Sequence, residues 1–158
     1  MTLYFLRHGD AGSPRSTDDN ARELTKRGTK QLRAAVDVWR RLNLRPNVVI
    51  SSPLPRALQT AQLFCEGMGI AKPVVDVRLR PGAEWADFAQ AMTQHPDARR
   101  VMFVGHEPDL SSAMVELSGA HAIRLRKAGV ACLEFPGVPE PATGEIAWLI
   151  DPDVYEKD

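Results

Sequence analysis

No apolar run in this 158-residue chain approaches the roughly 18 residues that a membrane-spanning helix needs, so no membrane span is expected in it. The first residues lack the charged lead and long apolar stretch of a secretory signal, and a cytoplasmic protein is expected. Cysteine is scarce: Cys65 and Cys132 lie in apolar contexts, form no CxxC pair and read as buried thiols in a reducing compartment rather than as a disulfide. Of the four histidines none pair at metal-ligand spacing and no cysteine lies close to them, so no metal site is expected. An excess of one charge is missing too. Twenty Lys+Arg balance twenty Asp+Glu, which leaves no global field to draw the chain to nucleic acid or to a membrane surface. Any preference for anions must be local. Repeats, linkers and low-complexity segments are absent, and the length fits one domain spanning residues 1–158, large enough to close a core without disulfides or a metal.

What is present is a series of short apolar runs separated by helical patterns. Thr2–Leu6 and Val48–Ser51 read as buried strands, Pro73–Val77 as a third and Val101–Val104 as a fourth. Between the first two, Thr25 is placed to cap a helix running to about Leu42, with Leu32, Ala35, Val36, Trp39 and Leu42 on its inner face. Ser52-Pro53 predicts the start of a second helix, serine as cap and proline at the first helical position, with Leu54, Leu58, Ala61 and Phe64 or Cys65 inward and Gly67 or Gly69 at its end. The turn Arg80-Pro81-Gly82 precedes a helix built on Trp85, Phe88, Ala89 and Met92, and Pro108 opens one built on Leu110, Ala113, Met114 and Leu117. Ile123–Leu125, Val130–Phe135 and Glu145–Ile150 have β character. Alternating β and α elements predict a three-layer α/β/α sandwich with a largely parallel central sheet.

The chemistry lies at the strand ends. The first strand leads into Arg7-His8-Gly9, the second into Ser51, Ser52 and Arg56, and the fourth into Gly105-His106. In a parallel sheet these ends share one edge, where open α/β folds place their ligands. Two arginines and two histidines then converge on one point. Singly, a histidine after a strand is most often an ordinary hydrogen-bonded residue and a first-turn arginine a solvated one; their joint occurrence at three predicted strand ends favours a site. Forked guanidinium donors suit phosphoryl oxygens, and a neutral imidazole is a competent nucleophile toward phosphorus. His95 and His121 have no such context and are expected to face solvent.

These motifs carry a family resemblance. Arg7-His8-Gly9-Asp10-Ala11, the stretch from Ser51 to Ala61, Val104-Gly105-His106-Glu107-Pro108, the stretch from Arg22 to Gly28 and Leu79-Arg80-Pro81-Gly82 together resemble the histidine phosphatase (phosphoglycerate mutase-like) superfamily, in its SixA branch of phosphohistidine phosphatases. The resemblance implies His8 as the phosphorylated nucleophile, Arg7, Arg56 and His106 as the phosphate pocket, and neither metal nor organic cofactor. For the proton donor the chain offers Glu84 on the turn after Pro81-Gly82, with Asp10 and Asp18 as rivals. No segment is long enough to form a capping subdomain, so an open pocket is expected, lidded at most by the loop from Asp10 to Arg22. Such a pocket suits a phosphohistidine-bearing protein as substrate, with inorganic phosphate as product. The alternatives are a small phosphoester, such as a sugar phosphate or nucleotide, and a non-catalytic phosphate-binding module. The catalytic reading predicts a bell-shaped pH profile, with His8 neutral and a cationic partner such as His106 protonated.

Overall fold

Strand β1 (Thr2–Arg7) owes its central place to side chains that are apolar on both faces: Leu3 and Phe5 enter one core, Tyr4 and Leu6 the other. The computed structural model describes residues 1–13 and 18–156. On one side β1 pairs in parallel with β4 (Arg100–Gly105), which pairs with β2 (Val48–Ser51), which pairs with the two-residue β3 (Val74–Val75). On the other side β5 (Val130–Glu134) runs antiparallel to β1, and β6 (Glu145–Ile150) antiparallel to β5. The sheet order is thus β3-β2-β4-β1-β5-β6. Helices α1 (Lys26–Arg41) and α2 (Pro55–Met68) cover one face through Leu32, Trp39, Ala61 and Phe64. Helices α3 (Trp85–Met92) and α4 (Asp109–Ser118) cover the other through Phe88, Leu110, Met114 and Leu117. This is the expected three-layer α/β/α sandwich with a largely parallel sheet. Among the described residues no helix is long and apolar enough to cross a membrane.

Two local devices fix the start of α1 against the end of β1. The Thr25 hydroxyl accepts the Gly28 N–H at 3.0 Å, capping the helix as its sequence predicts. Gly28 then packs so closely on the Asp10 backbone that a Cβ there would sit 2.3 Å from the Asp10 carbonyl oxygen, so only glycine fits. From the far end, the buried Tyr155 hydroxyl donates to the Ala128 carbonyl at 2.8 Å and accepts from Trp39 Nε1 at 3.3 Å. Ala128 N–H in turn faces the carbonyls of Arg7 and His8. The backbone that carries the first motif is therefore braced from both directions.

Four expectations are corrected. Helix α2 begins at Pro55, not Pro53, with Leu54 as its cap residue; Ser52 Oγ still accepts the Leu54 N–H but does so from a turn. Its buried stripe is Ala57, Ala61, Phe64, Cys65 and Met68, which leaves Leu58 half-buried because Arg56 and Thr60 take the direction toward the strand ends. The third strand stops at Val75, since Asp76 accepts the Arg78 N–H and turns the chain into a 3-10 segment over Val77–Leu79. Ile123–Leu125 forms no strand. Cys65 and Cys132 are buried free thiols, and burial pushes them up to about 11 and about 12 respectively.

Candidate active site

Strand register brings the motifs together. Arg7 lies opposite Gly105 and Ser51 opposite Val104, and the ladder continues one residue further through His8 N–H to the Gly105 carbonyl (3.1 Å) and Ser52 N–H to the Val104 carbonyl (3.0 Å). His8, His106 and Ser52 therefore emerge side by side at one sheet edge. The imidazoles of His8 and His106 lie 5.3 Å apart, and both rings are buried, at 6% and 3% exposure. Arg56, in the first turn of α2, is 3% exposed, and its charge and that of Arg7 both act on His8.

Hydrogen bonding sets the tautomer of His8. Its Nδ1 lies 2.7 Å from the Gly9 carbonyl oxygen, a group that only accepts, so Nδ1 carries the proton and Nε2 presents its lone pair. The Gly9 peptide is itself held: its N–H donates to Thr60 Oγ1 at 3.0 Å, and Thr60 donates to the Arg56 carbonyl at 2.8 Å. Thr60 thus ties the peptide that orients His8 to the helical turn that carries Arg56. Sequence reading missed it, although its place four residues after Arg56 on one helix face was a usable signal. Replacing Thr60 by the isosteric valine is expected to leave Gly9 N–H buried without an acceptor, at a cost of about 1–3 kcal/mol. Loosening of the Gly9 peptide should lower kcat about tenfold with little change in KM. Thermal unfolding and steady-state kinetics on the variant check both.

His106 Nε2 is 2.8 Å from Ser52 Oγ, a partner that sequence reading also overlooked. Three buried nitrogens, Arg7 Nε, Arg56 Nε and His106 Nδ1, meet no partner among the described residues. Each such group costs about 1–3 kcal/mol unless something satisfies it. Buried, unpaired nitrogens on two arginines and an imidazole, close enough for the arginine charges to act on His8, suit an oxyanion.

Segment Asp18–Arg22 closes over this edge more tightly than expected. Arg56 Nη1 donates to the Asp19 carbonyl at 2.9 Å, its Nη2 lies 3.5 Å from the Asp19 carboxylate, and the same carboxylate takes Arg22 Nε at 2.6 Å. Arg22 also donates to the Gly12 carbonyl at 2.7 Å. The loop's four residues 14–17 lie outside the described residues.

Burial and the neighbouring cations set the titration. Burial first, then the charges of Arg56, Arg7 and Lys127, pull His8 down to about 4 despite the Gly9 hydrogen bond; burial, His8 and Arg56 pull His106 down to about 3. The expectation of a protonated His106 is thereby corrected for the free protein, where both rings are neutral near pH 7. Since each unfolded histidine titrates near 6.5, the unfolded state binds more protons below that pH, and stability falls as pH drops from 6.5 toward 4. The expected loss at pH 5 is on the order of 2 kcal/mol per histidine. Thermal unfolding at pH 7 and 5 should show it, and His106→Asn should flatten the slope; identical slopes would contradict the titration.

The carboxylates divide. Burial opposes ionisation of Asp10, but hydrogen bonds with Thr25 (2.8 Å) and Lys127 (3.1 Å) outweigh it and hold the group below its ordinary value. Glu84 is exposed and is the N-cap residue of α3, its N–H donating to Asp87 at 2.9 Å. The turn before it is tied to the β4–α4 connection, because Asp109, three residues after His106, accepts the N–H groups of Gly82 (2.9 Å) and Ala83 (3.1 Å). Asp18 is exposed and precedes the 3-10 turn over Asp19–Ala21. His121 is exposed and His95 half-buried, both outside the cluster. Among the described residues no group of three or more His, Cys, Asp or Glu is placed to hold a metal ion.

An α/β protein with two arginines and two histidines gathered at its strand ends belongs to a recognisable class. The family model of the histidine phosphatase superfamily (branch 1) matches residues 3–87, and the chain belongs to that superfamily. It is 32% identical over 137 residues to an uncharacterized protein of Picosynechococcus sp., 82% of each chain being covered. Among solved structures it resembles the protein histidine phosphatase SixA complexed with tungstate, with a TM-score of 0.85 at 21% identity, covering 99% of this chain and 100% of that one. It also resembles a mycobacterial glucosyl-3-phosphoglycerate phosphatase complexed with VO3, with a TM-score of 0.72 at 21% identity, over 93% of this chain and 97% of that one. At these identities the two structures show a shared fold. Membership of the superfamily supports phosphatase activity.

Proposed function

We propose that the protein is a phosphatase that works through a phosphorylated His8 and acts on phosphohistidine borne by another protein. The observation that carries this reading is the locked His8 tautomer, which presents the Nε2 lone pair amid the unpaired nitrogens of Arg7, Arg56 and His106. In the first step the His8 Nε2–P bond forms as the bond from phosphorus to the substrate imidazole breaks, and the departing imidazole takes up a proton. In the second, water attacks phosphorus, the Nε2–P bond breaks, and inorganic phosphate leaves. Arg7, Arg56 and His106 hold the phosphoryl oxygens through both steps. Binding of that dianion raises the pKa of His106 and favours its protonation in the complex. Neither step calls on a metal or an organic cofactor. The same reading takes residues 1–158 as a single domain of this kind, and the cytoplasm as the compartment that suits its reduced thiols.

Imidazole as leaving group fits the carboxylates. Asp10 is ionised and engaged with Thr25 and Lys127, and Glu84 is an exposed helix-cap residue. A phosphoramidate needs less acid assistance than an alkyl phosphate. The SixA likeness points the same way. The test is intact-mass spectrometry after an acid-free quench, with a phosphohistidine-bearing protein, p-nitrophenyl phosphate and a sugar phosphate as parallel substrates. A transient phosphoryl adduct and phosphate release, fastest from phosphohistidine, are expected; preference for the sugar phosphate would transfer the reading to small phosphoesters. Phosphate binding with neither adduct nor release would reduce the protein to a phosphate-binding module. Glu84→Gln should slow the alkyl phosphate about tenfold and phosphohistidine by less than about twofold.

A further inference from the structure

Beside the cradle lies a second depression, a cavity of about 250 Å³ that shares Arg7 with it and is otherwise lined by Asp10, Arg27, Gln31, Arg126, Lys127 and Pro152. Arg7 is thus a common wall. Two of the cations here are already matched: Lys127 pairs with Asp10 at 3.1 Å, and Arg126 with Asp151 and Asp153 at 2.8 Å each. Arg27 is not. It sits in the first turn of α1 with Lys26, and Lys30 follows one turn on; all three are exposed, and none has an ion-pair partner among the described residues. The first turn of α1 carries no acidic residue. This arrangement opposes stability, because the positive end of a sixteen-residue helix favours acids and disfavours cations by about 0.3–1 kcal/mol each. Unmatched positive charge, held against the helix dipole and opening on a cavity that touches the phosphate cradle, has the character of a binding site.

We propose that this cavity is a second anion subsite, which takes the carboxylate of an aspartate or glutamate flanking the phosphohistidine on the substrate protein. The proposal rests on the phosphohistidine reading given above. Arg27 supplies the unmatched fork, Gln31 a neutral donor, and Arg7 the link that couples the carboxylate to the phosphoryl group one site away. A substrate with an acidic neighbour then engages two sites at once, and the gain appears mainly in KM. It is screened by salt, since Arg27 is exposed.

The test compares two phosphohistidine peptides that differ only in flanking Asp/Glu or Ala, on wild type and on Arg27→Ala/Gln31→Ala, with p-nitrophenyl phosphate as a third substrate for wild type. At low salt the acidic peptide should show a kcat/KM about tenfold higher, through KM, and the double variant should abolish the preference while its circular dichroism stays unchanged. Equal kcat/KM for the two peptides on wild type, or a preference that survives in the double variant, overturns the subsite and leaves the phosphatase reading standing. Turnover of p-nitrophenyl phosphate but of neither peptide overturns the phosphohistidine reading and the subsite with it.

Discussion

Substituting His8 by alanine is expected to lower kcat by at least about 10⁴-fold while phosphate binding survives. The argument starts from the ring's geometry. Nδ1 is committed to the Gly9 carbonyl, so the Nε2 lone pair faces the site, and no nearby group duplicates it: His106 Nε2 is occupied by Ser52 Oγ. Arg7, Arg56 and His106 remain in the variant, so inorganic phosphate should bind within severalfold of wild type, and no phosphoryl adduct should form. A variant that keeps more than a tenth of wild-type turnover would remove His8 from the nucleophile's role. The low pKa of His8 adds a signature. Because burial and cations bring it down to about 4, His8 stays neutral through the weakly acidic range, and the acid limb of kcat/KM should not fall at the 6.5 of a free histidine. After allowance for the ionisation of the substrate, a midpoint near 6.5 would mean that the free enzyme's nucleophile is not this buried ring.

Much of this was legible in the sequence, for reasons that differ by element. β1, β2 and β4 are buried on both faces and read as uninterrupted apolar runs, so their ends, and the residues delivered there, could be placed without the structure. α1 was legible because Thr25 and the Leu32-Ala35-Trp39 stripe agree. The start of α2 was not, since Ser52-Pro53 and Leu54-Pro55 both offer an opening; the choice turns on Ser52 Oγ, which is spent between Leu54 N–H and His106. Ser52 was invisible as part of the site because it acts by a hydrogen bond across elements, which no local pattern reports; for Thr60 the helical spacing from Arg56 was the one local signal, and its bond to the Gly9 N–H lay across 51 positions. The same holds for Asp19. Its carbonyl and carboxylate reach Arg56 across 37 positions of sequence, and nothing in the polar loop that carries it singles it out.

Arg56→Ala is expected to reduce kcat/KM about 10³-fold, and Arg56→Lys to recover little of it. The guanidinium is 3% exposed, with Nη1 on the Asp19 carbonyl and Nε unpaired and buried, so its donors are fixed in direction before substrate arrives. A lysine ammonium replaces this fork by one point charge on a flexible stem, which cannot hold the Asp19 carbonyl and a phosphoryl oxygen together. Asp19 supplies the contrasting variant. Its carboxylate lies 3.5 Å from Arg56 Nη2 and competes with the phosphoryl group for the same positive field. Asp19→Asn keeps the backbone carbonyl that orients Arg56 and removes the charge. Because the aspartate is half exposed, the relief is modest, and KM should fall about three- to tenfold with kcat near wild type. Opposite signs for the two variants, a large loss at Arg56 and a gain in affinity at Asp19, would place Arg56 on the phosphoryl group and Asp19 as its internal competitor. Losses at both positions would instead make their ion pair a structural clasp of the loop, and the phosphoryl group would then have to be held by Arg7 and His106 alone.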